Sequence, residues 1–404
     1  MKIILVVLCS YFVLACAKKT VHTPLLPTEN HLNELNQSVE KSNEQLKPKK
    51  ILISFVGDVI LHERIRKRHD VTNEGFDSIW SELQTYFDRA DLRYANLEGP
   101  VAPQLAKPSG FPRFNYPERI IEDLKKSGFD VVSTANNHSL DRGSEGVIQT
   151  IKNLDQHKLS YTGTIKNQIK AAVDPALDKK TNQDTWWVLT DVSPEIKHKK
   201  IAWIACTEMT NGLRDLKKQV LYCYKDKKII EEAIDQLKSQ AEVAAIILLP
   251  HWGEEETFEI EIHRKVWARR LLDRGASAVV GSHPHILQKI ESYKTKDNRE
   301  AIIAYSLGNF ISNQGKVPNK LSMILFLQFE YDFKNESFSF QQAKALPIWM
   351  QRRQDKNGTS VYRLKTVESV KSMPPEALSI LKNQIGELYW LKTKQDADLF
   401  LIQR

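Results

Sequence analysis

The sequence predicts an α/β fold with a metal centre at its strand ends, on two observations. Short apolar runs alternate with segments of helical spacing. The apolar runs also end in side chains that bind metals: Gly57-Asp58 with His62, Asn96-Leu97-Glu98, Asn136-Asn137-His138, His251-Trp252-Gly253 and Gly281-Ser282-His283-Pro284-His285. A side chain at the carboxyl end of a buried strand points into the crevice where α/β sheets bind ligands. Imidazole and carboxylate groups gathered there make a metal site, and with an asparagine carbonyl among them they suit Mn, Fe or Zn.

Taken in order, residues 51–56 read as the first buried strand. Residues 76–89 have helical spacing, with Ile79, Leu83, Tyr86 and Phe87 on one face. A short strand over 91–96 precedes a helix over 118–128 that glycine stops. A strand over 131–134 leads to a helix over 144–157 with Val147, Ile151 and Leu154 inward. Residues 186–189, 200–207 and 244–249 read as strands, with a helix over 228–240 before the last. A helix over 259–275 feeds the strand 278–280, and another strand covers 301–306. Residues 321–331 and 337–347 alternate as an antiparallel pair does. From about residue 350 the chain is basic, then helical over 375–383. No internal repeat is present.

The 404 residues suffice for one large core or two smaller ones, and 41% hydrophobic with 27% charged residues is ordinary for a soluble globular protein. The net charge of +8 favours a polyanionic partner, although the lysines are spread out, as on a solvated basic face. No nucleic-acid motif is present, and nucleic acid is not an expected partner.

Met1-Lys2 is a positive start, residues 3–14 are almost wholly apolar, and Val13-Leu14-Ala15-Cys16 ends the run. This is too short for a membrane span and suits a signal peptide. A small residue before cysteine resembles the bacterial lipobox, which makes Cys16 the expected lipidation site; an ordinary signal peptide or an uncleaved anchor is the alternative. Ala17 and Lys18 follow, not the aspartate that holds lipoproteins at an inner membrane. Residues 17–50 are polar and read as a flexible tether. The expected organisation is a signal peptide over 1–15, lipidated Cys16 and tether over 16–50, a catalytic body over 51–347 and an extension over 348–404. Cys206 and Cys223 could pair in an oxidising compartment or stay as free buried thiols.

Each motif has a plainer reading taken alone: Gly57-Asp58 as a helix cap, Glu98 as a surface carboxylate, Asn136-Asn137 as a capped loop. Together they support a shared site. Glu98 with Asp58 can bridge two metals. Asp141, three residues after His138, can hydrogen-bond it and set its tautomer. Trp252 reads either as core or as a stacking wall for substrate. His283 and His285, one residue apart in a segment expected to be extended, can address neighbouring metals.

The motifs also resemble the CapA family, named for a capsule (poly-γ-glutamate) synthesis protein and part of the calcineurin-like metallophosphatase superfamily. The matching residues are Gly57-Asp58-Val59-Ile60-Leu61, Asn96-Leu97-Glu98, the run from Ala135 to Gly143, His251-Trp252-Gly253, Gly281-Ser282-His283-Pro284-His285 and Tyr305-Ser306-Leu307-Gly308-Asn309-Phe310. The resemblance implies a four-layer α/β/β/α sandwich with two divalent ions. Asp58 and His285 would hold the first ion, Glu98 would bridge in place of the superfamily's usual aspartate, and Asn137, His251 and His283 would hold the second. His138, assisted by Asp141, would be the general acid. Arg113, Arg142, Trp252 and Asn309 are the candidate substrate contacts. The superfamily's histidine two residues after the aspartate is Ile60 here, so the first ion lacks a ligand unless His62 reaches it.

The resulting expectation is a metal-dependent hydrolase in the cell envelope, acting on an anionic envelope polymer or a phosphate-containing substrate and working with capsule-synthesis machinery. Lipidation would place it on the outer membrane facing the periplasm in a Gram-negative cell, or on the outer face of the plasma membrane in a Gram-positive one. The rival readings are a non-catalytic polymer-binding or export protein, and an amidase or peptidase acting on γ-glutamyl or cell-wall bonds.

Overall fold

A computed structural model describes residues 47–72, 74–166, 185–196 and 198–402. The signal-like run, Cys16 and the tether as far as residue 46 lie outside the described residues.

The first sheet is built around β1 (Lys49–Val59), whose residues from Ile51 onward are all buried. Burial on both faces explains its near-continuous apolar run. On one side β1 pairs in parallel with β2 (Leu92–Leu97), and β3 (Val131–Ser133) and β4 (Ser160–Thr162) continue the parallel order. On the other side β12 (Leu321–Asp332), β13 (Ser337–Gln354) and β14 (Ser360–Thr366) form an antiparallel meander. Short β11 (Asn309–Ile311) joins the end of β1 with Asn309 opposite Asp58.

The second sheet runs β5 (Trp187–Asp191), β6 (Lys200–Thr207), β7 (Val243–His251), β8 (Ala278–Val280), β10 (Glu300–Ala304), β9 (Ile290–Lys294). Its four central strands are parallel and its edges antiparallel. Side chains alternate along β6. Ile201, Trp203 and Ala205 enter the main core, while Ala202, Ile204 and Cys206 join a second cluster with Ile230, Ile234 and Leu237 of helix α4 (Lys227–Lys238) and Leu271 and Leu272 of α5 (Ile262–Arg274). Trp203 meets Phe55 of β1 at 5.8 Å and stacks on Tyr94 of β2 at 6.2 Å, so aromatic rings join the facing sheets. Helices α2 (Arg119–Lys126) and α3 (Gly143–Gln156) add Ile120, Leu124, Val147, Ile151 and Leu154 to the main core. The result is the expected α/β architecture of two sheets flanked by helices.

Three expectations need correction. Residues 76–89 form two short 3₁₀ turns and one helical turn rather than one helix, because Trp80 leaves helical geometry to donate its indole N–H to Ser127. The boundary at 347 falls inside β13, which runs on to Gln354 and pairs with β14, so the body's first sheet includes part of the supposed extension. His283 and His285 are not extended: both have left-handed φ, +99° and +59°. Cys206 and Cys223 are joined by a disulfide that closes the base of the loop after β6. Among the described residues no helix is long and apolar enough to cross a membrane.

Candidate metal centre

The parallel strands of both sheets end at the same place. Gly57 packs against the Gly308 carbonyl, where an added Cβ would sit 1.8 Å from the oxygen, and the residue it delivers is Asp58, fully buried at the end of β1. Glu98 follows β2, Asn137 follows β3, His251 ends β7, and His283 and His285 follow β8. The left-handed backbone at both histidines costs on the order of 1–3 kcal/mol each, the kind of strain found where function demands it.

Two of the donor groups that result share Glu98. Asp58, Glu98 and His285 present ligand atoms within 4.8 Å of one another, as do Glu98, His251 and His283. Asp58 Oδ2 lies 3.0 Å from His285 Nδ1, and His285 Nε2 lies 3.7 Å from Glu98 Oε1. His251 Nε2 approaches Asn137 Oδ1 and His283 Nδ1, each at 3.1 Å. Both Glu98 carboxylate oxygens are buried with no hydrogen-bond partner among the described residues. Buried polar atoms are rarely left so, and divalent cations held by Glu98 would satisfy its oxygens. The donor set fits divalent metal ions.

Neighbouring groups orient these ligands. Ser282 Oγ lies 3.0 Å from His251 Nδ1, which fixes Nε2 as the metal-facing atom when Nδ1–H donates. The Asn96 amide donates to Asp58 Oδ1 at 2.8 Å, and Ser133 donates to Asn96 Oδ1 at 2.6 Å. Tyr116 donates its hydroxyl hydrogen to the Glu98 carbonyl.

Beside the donor groups stands a dyad. His138 Nδ1 lies 2.7 Å from Asp141 Oδ2, which also accepts the Phe114 N–H at 2.7 Å. The Phe114 ring packs edge-on against His138 at 4.6 Å. This pairing leaves His138 Nε2 as the atom for proton exchange.

Burial shapes the charge. It pushes the Glu98 carboxyl well above the usual range, with Asp58 adding to the effect. Burial pushes His251 well down and His283 to about 4, and neighbouring histidines reinforce both shifts. For His285 burial acts downward, but the Glu98 and Asp58 carboxylates outweigh it and hold the ring up at about 9.

With that geometry in place, comparison with known proteins is decisive. Residues 52–314 match the family model "Bacterial capsule synthesis protein PGA_cap". The chain belongs to this PGA_cap family. It is 28% identical over 282 residues to the capsule biosynthesis protein CapA of Bacillus anthracis, covering 68% of this chain and 63% of that protein. It is 27% identical over 273 residues to the PGA biosynthesis protein CapA of Bacillus subtilis, covering 65% of this chain and 63% of that protein. The match therefore spans less than two thirds of each relative. Solved structures paired with it include a phosphatase from Mycoplasma pneumoniae, at 12% identity and TM-score 0.41 over 74% of this chain and 94% of that chain. Another is the sulfate thiohydrolase SoxB of Thermus thermophilus, at 12% identity and TM-score 0.36 over 72% of this chain and 42% of that chain.

In this PGA_cap protein Asp58, Glu98, Asn137, His251, His283 and His285 come together, with His138 and Asp141 beside them. Arg142 and Arg113 lie next to the dyad: the Arg142 guanidinium donates to the carbonyls of Asp141 and Arg113, each at 3.0 Å, and makes no ion pair among the described residues. Arg113 is exposed. His62 sits near His285 and His138, and burial with those two rings lowers it to about 4. Its Nδ1 accepts the Asn313 N–H at 3.2 Å, and it belongs to neither donor group. Ile60, 3% exposed, is core.

Two substrate assignments are corrected. Trp252 is 1% exposed, stacked with Tyr305 and donating its indole N–H to the Tyr305 carbonyl, so it is core and not a stacking wall. Asn309 is buried and donates to the carbonyls of His285 and Asn319 and to Gln314, so it braces the His285 loop. Sequence reasoning missed Ser282, Asn96, Tyr116 and Ser133 as orienting groups. Ser282 and Asn96 stood inside motifs already noted; Tyr116 and Ser133 had no local signal.

A pH dependence follows. Below about pH 9 the metal-free His285 carries a proton that an incoming cation must displace. Metal affinity is therefore expected to rise with pH from 7 to 9, about tenfold per pH unit for each proton displaced. Calorimetric titration with Mn2+ in two buffers of different ionisation enthalpy counts those protons; an affinity flat across this range would contradict the expectation.

Proposed function

We propose that this protein is a cell-envelope, metal-dependent hydrolase acting on an anionic capsule polymer of the poly-γ-glutamate type during its synthesis, export or anchoring. The observation that carries the reading is the orphaned, buried Glu98 carboxylate shared by two donor groups, with a His–Asp dyad beside them. The names of the Bacillus relatives support the polymer class. The expected Cys16 lipid would anchor the body at a membrane surface.

Asp58, Glu98 and His285 would hold one divalent ion, and Glu98, Asn137, His251 and His283 the other. When bound, such ions supply a hydroxide near neutral pH and stabilise charge at the scissile centre. Asp141 holds the His138 ring, whose Nε2 delivers a proton to the leaving group. Arg142 offers positive charge to the polymer's carboxylates or to phosphate. The six ligands and the His138–Asp141 pair are all buried, which strengthens each electrostatic contact.

The purified body should contain two divalent ions per chain and hydrolyse a member of a panel of phosphate esters, γ-glutamyl amides and poly-γ-glutamate. Less than one ion per chain with no turnover of any member would overturn the hydrolase reading. The rival reading, polymer binding without catalysis, draws on Ile60, which leaves the first donor group with three donors.

A further inference from the structure

The two donor groups are unequal. Glu98, Asn137, His251 and His283 surround one position, whereas Asp58, Glu98 and His285 alone surround the other. We infer that Glu255, on the loop after β7, is a further carboxylate ligand of the centre and completes the weaker, His285-bearing position. This rests on the metal reading proposed above.

Three observations support it. A Glu255 carboxylate oxygen lies within 4.8 Å of ligand nitrogens on both His283 and His285, a third donor group on the outer side of the same histidines. The loop is pinned there by its backbone. The Glu256 N–H donates to the Pro284 carbonyl at 2.9 Å, directly between the two histidines. The Gly253 N–H donates to Glu208 Oε2 at 3.1 Å, and the Arg264 guanidinium grips both Glu208 oxygens at 2.8 Å. Finally, Glu255 makes no ion pair with lysine or arginine among the described residues, unlike its neighbour Glu256, which pairs with Lys316. An acidic side chain without a cation, held against two histidines of a metal-binding cluster, has the chemistry of a ligand. A further observation is independent of it: the buried Glu98 carboxylate, in the donor group of His285, has no hydrogen-bond partner among the described residues.

Glu255 is also exposed, the only exposed member of the three groups. A ligand on a solvent-facing loop can leave and return, so this position is the one open to exchange with substrate oxygen. Oxygen-rich coordination by Asp58, Glu98 and Glu255 around a single imidazole favours Mn or Fe over Zn there.

The test is Mn2+ binding to metal-free full-length protein, followed by calorimetry and by electron paramagnetic resonance, which reports coupling between paired ions. Parent protein should bind two ions. Glu255→Gln should weaken one of the two by at least about tenfold, leave the other within about twofold, and diminish the paired-ion signal. Glu254→Gln, one residue away with the same charge change, should match the parent. Glu255 is exposed, so folding is not at issue, and thermal melting of the metal-free variants checks it. Unchanged binding in Glu255→Gln, equal weakening of both ions, or an equal loss in Glu254→Gln would overturn the assignment. Failure of the parent to bind metal would instead overturn the metal reading beneath it.

Discussion

Glu98→Gln is expected to remove metal from both positions at once while leaving the metal-free fold nearly untouched. The side chain is fully buried, and neither carboxylate oxygen has a hydrogen-bond partner among the described residues, so exchange for an amide of the same shape breaks no bond there. Burial raises the Glu98 carboxyl well above its usual range, with Asp58 adding to the effect. The loss falls on the cations. Outer-sphere partners of metal ligands are worth about 10–100-fold in affinity, and a residue shared by two donor groups should exceed that. The contrast is measurable by melting. At a metal concentration a thousand times Kd, the parent gains about 4 kcal/mol of stability, and Glu98→Gln should gain almost none. The metal-free forms should melt within a few degrees of each other. If Glu98→Gln still takes up two ions with parental affinity, Glu98 is not a bridge and the two-site arrangement fails with it.

How much of this was visible beforehand depends on distance along the chain. Each ligand is announced locally, because a buried strand is a run of apolar residues and the first polar side chain past it stands out. That is why Asp58, Glu98, Asn137, His251, His283 and His285 could be named from five separate stretches. Their convergence at one edge is expected from the strand-end pattern, and the resemblance assigns each its place, but the packing of Phe55 and Tyr94 against Trp203 across the two sheets is a contact no local pattern encodes. The errors have equally physical causes. Trp252 borders a metal-binding motif, yet its polarity is satisfied by the Tyr305 carbonyl, so proximity in sequence misled about direction. The alternating run reads as far as Pro347, but β13 passes through that proline opposite Met323 and continues to Gln354. Glu255 stands among three consecutive glutamates with the same chemistry. What singles it out is the bond from the Glu256 backbone to Pro284, on a partner 28 residues downstream.

His138 and Asp141 should separate proton transfer from metal binding. Neither belongs to a donor group, so His138→Ala and Asp141→Asn are expected to keep the parental metal content. Turnover should nevertheless fall by about 10²–10⁴-fold in His138→Ala, the usual contribution of a positioned general acid. The size of that loss should depend on the leaving group. A nitrophenolate departs without a proton and should recover much of the rate, whereas an alkyl ester or an amide should not. Asp141→Asn acts through the ring. One oxygen, Oδ2, serves both His138 Nδ1 and the Phe114 N–H. An amide with its oxygen kept on Phe114 can no longer accept from Nδ1, and the imidazole turns or changes tautomer. The expected signature is a smaller loss than His138→Ala with the same leaving-group trend, while Glu98→Gln shows no such trend because it removes the attacking group's activation. Equal losses across all leaving groups in His138→Ala would reassign that residue from proton donor to substrate clamp, alongside Arg142.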